Sequence, residues 1–146
     1  MNPLVIIPTY NESQSITEVI DGLLSLRENV EILVVDDNSP DGTAQLVVAR
    51  GIPRIHLLSR ESKTGLGGAY RAGFFWALSK KRFSHVVTMD GDGSHRAIDL
   101  SLMLSRRKRL ILSFSVLDGC LVVRSSIGPK VGNCFPKLAL DMPNSL

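Results

Sequence analysis

Val34-Val35-Asp36-Asp37-Asn38-Ser39-Pro40-Asp41-Gly42-Thr43 carries three structural signals in one short stretch. The run from Glu31 to Val35 is apolar and β-branched, of strand length, and ends on Asp36-Asp37. Asn38 to Gly42 is a block of turn-forming residues: Pro presets one backbone angle, Gly admits positive φ, and Asn, Ser and Asp bond their own backbone. Thr43 to Arg50 then reads as a short helix closed by Gly51. A strand, an acidic turn and a helix in that order begin a β-α unit, and the chain on either side repeats the plan.

Upstream, Leu4 to Ile7 is a short strand ended by Pro8. Ser13 to Arg27 follows, with Ile16, Val19, Ile20, Leu23 and Leu24 at helical spacing and Ser13 or Ser15 placed to cap it. Downstream, Arg54 to Leu58 is a third strand and Gly68 to Lys81 a helix with apolar Ala69, Ala72, Phe75, Trp76 and Leu78. His85 to Met89 is a fourth strand that runs into Asp90-Gly91-Asp92. The β-α-β-α-β-α-β order predicts an α/β fold, a mostly parallel sheet with helices on both faces. Ligands of such sheets sit beyond the carboxyl ends of the strands. The candidate site edges are therefore Pro8 to Glu12, Asp36 to Asp41 and Asp90 to His95. Past residue 96 the pattern thins: Ile98 to Leu104 reads as a helix, Leu110 to Leu117 as a strand, and the remainder is broken up by Pro and Gly.

The chain has 146 residues and a mass of 16.0 kDa, the size of one domain, here residues 1–146. Its 44% hydrophobic and 21% charged content excludes a disordered or low-complexity chain. No apolar stretch approaches the ~20 residues that span a bilayer. No basic segment followed by an apolar one marks a secretory signal. Cys120 and Cys134 form no C-x-x-C pair, which predicts reduced thiols in a cytoplasmic protein. Residues 1–95 carry nine Lys/Arg against eleven Asp/Glu, a balance of −2, and residues 96–146 carry eight against three, a balance of +5. The run Arg106-Arg107-Lys108-Arg109 has no interleaved aromatic residue and reads as a solvated helix end. The expectation is no nucleic-acid partner and, for the basic half, peripheral contact with an anionic membrane surface at its cytoplasmic face.

The chemistry lies with the aspartates. Five of nine (Asp36, Asp37, Asp41, Asp90 and Asp92) follow just two of the strands. If those strands neighbour one another, their carboxylates converge and repel unless a proton or cation joins them. Hard oxygen ligands favour Mg²⁺ or Mn²⁺. The competing reading is that acidic residues simply populate turns and helix starts, and it weighs most on Asp41. Asp90-Gly91-Asp92 at a strand end suits a cation that bridges a diphosphate and neutralises it as a leaving group. Lys63-Thr64-Gly65-Leu66-Gly67-Gly68 is glycine-rich but is neither a P-loop nor a dinucleotide fingerprint, since Tyr70 stands where a third Gly is required. The helix after it still offers an N-terminus to an anion. His95 reads as a metal ligand, an acceptor-facing group or a satisfied loop residue, and His56 and His85 read as structural.

These segments together resemble a known family. Val5-Ile6-Ile7-Pro8-Thr9-Tyr10-Asn11-Glu12 looks like the opening of the family 2 glycosyltransferases. Val34 to Thr43 resembles the D-D-x-S-x-D-G-T segment of their dolichyl-phosphate (polyprenol-phosphate) mannosyltransferase branch. Lys63 to Gly67 with Ala69-Tyr70 matches that branch, as does Met89-Asp90-Gly91-Asp92-Gly93-Ser94-His95, where the family usually has M-D-A-D-x-S-H. The resemblance implies a GT-A, Rossmann-like, nucleotide-sugar-binding fold with three α/β/α layers. It implies metal-dependent, inverting transfer of mannose from GDP-mannose to a polyprenyl phosphate, a step of glycolipid biosynthesis and protein glycosylation. Carried over by residue, Pro8, Tyr10, Glu12, Val35, Asp37, Asp90, Gly91 and Asp92 would bind the nucleotide sugar. Asp90 and Asp92 would be the catalytic pair, holding Mg²⁺ or Mn²⁺ with Ser94 as a further ligand. A phosphomonoester acceptor has a second pKa of about 6 and is already a nucleophile at pH 7, so no strong protein base is required.

The last third departs from the family. Asp99 to Leu104 and the basic residues after it resemble the helix that follows the D-x-D, and Gly132-Asn133 to Pro143 resembles the next helix. Between them, Phe114-Ser115-Val116 stands where the family has G-[ST]-R, so the arginine expected at the donor phosphates is replaced by Val116. The family's T-S-G-F-R-like segment is missing. The resemblance thus implies a nucleotide-sugar-binding half over residues 1–95 and a divergent, truncated acceptor-side half over 96–146. It leaves a second expectation open, an inactive relative that only binds nucleotide or nucleotide sugar. Receiver-like and haloacid-type domains also gather aspartates at strand ends and form a third class.

Overall fold

The computed structural model describes residues 2–105 and the backbone of Ser115–Leu117 and Cys120–Arg124. The elements are β1 (Pro3–Thr9), α1 (Ile16–Leu24), β2 (Glu31–Asp36), α2 (Thr43–Ala49), β3 (Ile55–Ser59), α3 (Leu66–Lys80), β4 (His85–Thr88), α4 (Ala97–Ser105), β5 (Ser115–Leu117) and β6 (Cys120–Arg124). They form a sheet in the order β3-β2-β1-β4-β6-β5. The first four strands of that order are mutually parallel, and β6 joins β4 antiparallel through pairs such as Val87 with Val122.

All residues of β1 are buried, as expected for a parallel strand covered on both faces. The two-residue alternation of a strand then divides the core. Val5 and Ile7 of β1 and Ile32 and Val34 of β2 pack with Ile16, Ile20 and Leu23 of α1, Val47 of α2 and Leu100 of α4. Leu4, Ile6, Leu33 and Val35 face the other way and pack with Ala69 and Ala77 of α3. Gly73 lets α3 approach closely, because a Cβ there would lie 2.7 Å from Ile6 Cγ2 and 3.3 Å from Val35 Cγ2.

The chain moves from β1 outward to β2 and β3, and α3 then carries it back across to lay β4 on the opposite side of β1. This reversal between β1 and β4 is a topological switch point. The helices that follow these two strands, α1 and α4, pack on the same face of the sheet and α3 covers the other, and ligands of such sheets bind at the carboxyl ends of the strands where the order reverses.

Four departures from the sequence reading have physical reasons. The helix expected over Ser13 to Arg27 is the shorter α1, because residues 12–15 form a turn, with Ser15 and Ile16 N–H both bonded to the Glu12 carbonyl. Ser15 occupies the N-cap position, but its hydroxyl makes no cap bond and is used elsewhere. The strands bearing the acidic clusters are not neighbours, since β1 lies between β2 and β4. Strand β6 follows β5 in a segment that the sequence reading left unassigned. Of the strand expected over Leu110 to Leu117, residues 115–117 form β5 and the rest lies outside the described residues, as do Arg106 to Arg109, Cys134 and the helix expected over 132–143.

Candidate functional site

The loop after β1 is stitched to the loop after β2 bond by bond. Asp37 N–H donates to the Thr9 carbonyl at 3.1 Å. Asn11 N–H donates to Ser39 Oγ (3.0 Å), Glu12 N–H to Thr43 Oγ1 (3.0 Å) and Ser13 N–H to Asp41 Oδ2 (2.9 Å). Asn11 and Asn38 take positive φ, 63° and 59°, a conformation Asn tolerates far better than β-branched residues. The acidic turn is thus largely scaffold. Asp36, 1% exposed, accepts from Thr9 Oγ1, Ser39 N–H and Ser39 Oγ. Asp41 accepts from the Thr43 hydroxyl at 2.6 Å and from Thr43 and Ser13 N–H, and the Thr43 bond above all holds its carboxyl well below the usual range. The expected gathering of both acidic clusters on one cation is corrected accordingly: these two carboxylates are occupied by the protein's own donors.

Asp37 is 5% exposed and pairs with Arg60, Nη1 to Oδ1 2.8 Å, as an ion contact and not as a well-angled hydrogen bond. Val35 has no exposed surface, and its side chain packs in the core beneath α3 behind this edge. Pro8 is also buried, at the end of β1, leaving Tyr10, 39% exposed, exposed Asn11 and half-buried Glu12 as the open residues of that edge.

Across the switch point, the β4 end approaches β1 closely. A Cβ on Gly91 would lie 3.1 Å from Thr9 Cγ2 and 3.3 Å from the Pro8 carbonyl. The Ser15 hydroxyl, with one proton to give, donates to the Gly91 carbonyl at 2.7 Å and lies 3.1 Å from Glu12 Oε2. It therefore holds the D-x-D segment against the turn after β1, in which Ser15 N–H donates to the Glu12 carbonyl. Asp92 is exposed, and hydrogen bonding from Ser94, side chain first and then backbone N–H at 2.9 Å, keeps its carboxyl below the usual range. It is ionised at neutral pH. The Asp90 side chain is 39% exposed; Oδ1 accepts the Tyr70 hydroxyl at 3.0 Å, and Oδ2 lies 3.8 Å from His95 Nδ1. Ser94 Oγ is 3.2 Å from the same His95 nitrogen.

These donors suit a hard divalent cation of one particular kind. Among the described residues no group of three or more His, Cys, Asp or Glu gathers as a protein-only cage. Two adjacent carboxylates with open coordination positions are what Mg²⁺ or Mn²⁺ uses when phosphate oxygens complete its shell. The site fits a cation that arrives with a diphosphate.

The segment from Arg60 to Tyr70 reaches all three strand-end edges. Arg60 pairs with Asp37 after β2, Lys63 Nζ lies 3.9 Å from the centre of the Tyr10 ring after β1, and Tyr70 holds Asp90 after β4. The glycine-rich motif drew attention to this stretch, but its side-chain partners are far away in sequence and no local spacing announces them. By contrast, the hollow of about 260 Å³ between α2 and β3, walled by Val48, Ile52, Pro53 and Leu57 among others, is lined by no titratable side chain.

Four parallel strands with a D-x-D after β4, facing a Tyr-x-Glu edge after β1, have the architecture of a GT-A glycosyltransferase. Residues 4–110 match the glycosyl transferase family 2, and the chain belongs to that family. It is 48% identical to the polyprenol monophosphomannose synthase of Mycolicibacterium smegmatis over 69% of this chain and 39% of that protein. It is 37% identical to the undecaprenyl-phosphate mannosyltransferase of Micrococcus luteus over 97% of this chain and 61% of that protein. Among solved structures, the mannosyltransferase PcManGT of Pyrobaculum calidifontis, in complex with GDP-Man and Mn²⁺, is similar with a TM-score of 0.52 and 32% identity, over 62% of this chain and 27% of that one. The chain therefore spans 39% and 61% of the two curated relatives. Among the described residues no helix is long and apolar enough to cross a membrane.

Proposed function

We propose that this chain carries the donor site of a transferase that passes mannose from GDP-mannose to a polyprenyl phosphate with inversion. The observation that carries the reading is the pair of open carboxylates, Asp90 and Asp92, tied through the Gly91 carbonyl and the Ser15 hydroxyl to the turn that Glu12 begins across the switch point. The names and identities of the two curated relatives support the sugar and the class of acceptor, and the GDP-Man and Mn²⁺ in the similar archaeal structure support the donor and a divalent cation.

In this reading Tyr10, Glu12 and Asp37 form the nucleotide edge and Asp90, Gly91 and Asp92 the diphosphate edge. Asp92, held ionised by Ser94, and the open oxygen of Asp90 are the cation's protein ligands, with Ser94 beside them. The cation, when bound, supplies positive charge to the diphosphate as the bond to the sugar breaks. The acceptor phosphate is largely dianionic at pH 7 and attacks the anomeric carbon from the face opposite the departing GDP, so no side chain has to remove a proton. Transfer of labelled mannose from GDP-mannose to a short polyprenyl phosphate tests the reading, with loss of transfer in Asp92→Asn expected.

Val116 favours a second reading, binding without turnover. The resemblance places Val116 where the family has an arginine for the donor phosphates, and misplaced reacting groups cost orders of magnitude in rate. Val116→Arg raises transfer in that case and leaves GDP-mannose binding in place. Equal transfer by both chains favours the first reading.

A further inference from the structure

The donor site so read uses Asp90, whose contact within its own loop is a long one, Oδ2 to His95 Nδ1 at 3.8 Å. Its Oδ1 accepts the hydroxyl of Tyr70, in the second turn of α3, at 3.0 Å. Tyr70 is partly buried and its ring packs against the core cluster of Leu4, Ile6, Leu33 and Val35. The hydroxyl is thus presented by a ring with little freedom, on a helix seated across β1 and β2 through Gly73. Asp92 has a local partner in Ser94, two residues on, whereas Asp90 depends on an element twenty residues upstream.

We propose that Tyr70 is a positioning residue for the cation: it holds the Asp90 carboxylate by Oδ1 and leaves Oδ2, 3.8 Å from His95 Nδ1, as the oxygen that would meet the metal. The inference rests on the reading of Asp90 and Asp92 as the diphosphate-bound cation's ligands. Two effects of the hydroxyl oppose each other. It withdraws some charge from Asp90, which weakens a metal bond, and it fixes the carboxylate's orientation, which strengthens one. Removing the partners that orient metal ligands typically weakens metal binding roughly 10–100-fold, so orientation wins. The same contact ties α3 to the end of β4 and couples the glycine-rich segment before α3 to the metal edge.

Tyr70→Phe keeps the ring and its packing and removes only the hydroxyl. Mn²⁺ affinity is read from the electron paramagnetic resonance signal of free Mn²⁺ with saturating GDP, and GDP affinity is read separately with EDTA present. Tyr70→Phe is expected to raise the apparent Mn²⁺ Kd roughly tenfold and to leave metal-free GDP binding unchanged. Equal Mn²⁺ affinity in Tyr70→Phe and the unaltered chain overturns the positioning role alone. A parallel fall in metal-free GDP binding also overturns it, because the residue then supports the fold and not the metal edge. Asp92→Asn run alongside separates the two levels. If it binds Mn²⁺ with GDP as well as the unaltered chain does, or if the unaltered chain binds none, the reading beneath fails and the role of Tyr70 with it.

Discussion

Carboxylates after strands do two jobs in this molecule, and their partners tell them apart. Asp36 and Asp41 accept hydrogen bonds from Thr9, Ser39, Thr43 and Ser13 and build the turn, while Asp90 and Asp92 keep oxygens open to the crevice. Asp92→Asn removes a charge and little volume, so it is expected to abolish Mn²⁺-dependent GDP binding while the thermal unfolding profile persists. Calorimetry with and without Mn²⁺ checks this. Thr43 has no exposed surface and serves both Asp41 and the Glu12 N–H. Thr43→Val leaves that N–H without its partner, and a loss of about 1–3 kcal/mol is expected in a urea denaturation series. The D-x-D was legible in the sequence because it ends a strand. For Asp36 and Asp41 the turn role and the cation role stayed open as competing readings, because a turn and a cation ask for the same side chain at the same place. The burial of Val35 was not legible for a related reason: family motifs mark position along a strand, while the face a side chain takes depends on what packs against the strand.

The elements themselves were largely readable, since unbroken apolar β-branched runs and helical spacing have few alternatives. Their pairing order was not, and it is the order that separates β2 from β4 and creates the switch point. The partner of Tyr70 was hidden in the same way, because its contact with Asp90 depends on α3 crossing back over β1. Packing of α3 predicts the effect of Gly73→Ala. Alanine gains about 1 kcal/mol in helix propensity, but its Cβ would lie 2.7 Å from Ile6 Cγ2 inside a filled core. Overpacking costs about 1–3 kcal/mol, so a net loss near 1 kcal/mol is expected. An unchanged or higher urea midpoint contradicts it. At the amino ends of the strands, Glu31 joins β2 to Asn2, to His56 of β3 (2.7 Å) and to Arg82 (2.5 Å). Burial works to raise its pKa, but these partners outweigh burial and hold the carboxyl below its ordinary value. A carboxylate with a depressed folded pKa contributes stability that is present above its unfolded pKa, about 4.3, and lost as pH falls through the folded value. Glu31→Gln is therefore expected to flatten the acid side of the stability profile, with the difference from the unaltered chain greatest near neutral pH and closing below about pH 4.

At the scale of the molecule, the fold places one polar crevice at the carboxyl edge of a parallel sheet and leaves the basic excess of residues 96–146 at +5. Each basic residue near an anionic bilayer is worth roughly 1 kcal/mol and is screened by salt. Co-sedimentation with phosphatidylserine vesicles is therefore expected to weaken as salt rises, and binding indifferent to salt contradicts an electrostatic contact. The central claim is that the crevice between β1 and β4 takes a nucleoside-diphosphate sugar through a cation on Asp90 and Asp92. Calorimetric titration of the unaltered chain with GDP-mannose, in Mn²⁺ and then in EDTA, tests it most directly. The account predicts saturable one-to-one binding in Mn²⁺ that exceeds binding of UDP-glucose and is largely lost in EDTA. Binding of GDP-mannose that is absent, or equally strong without metal, contradicts it.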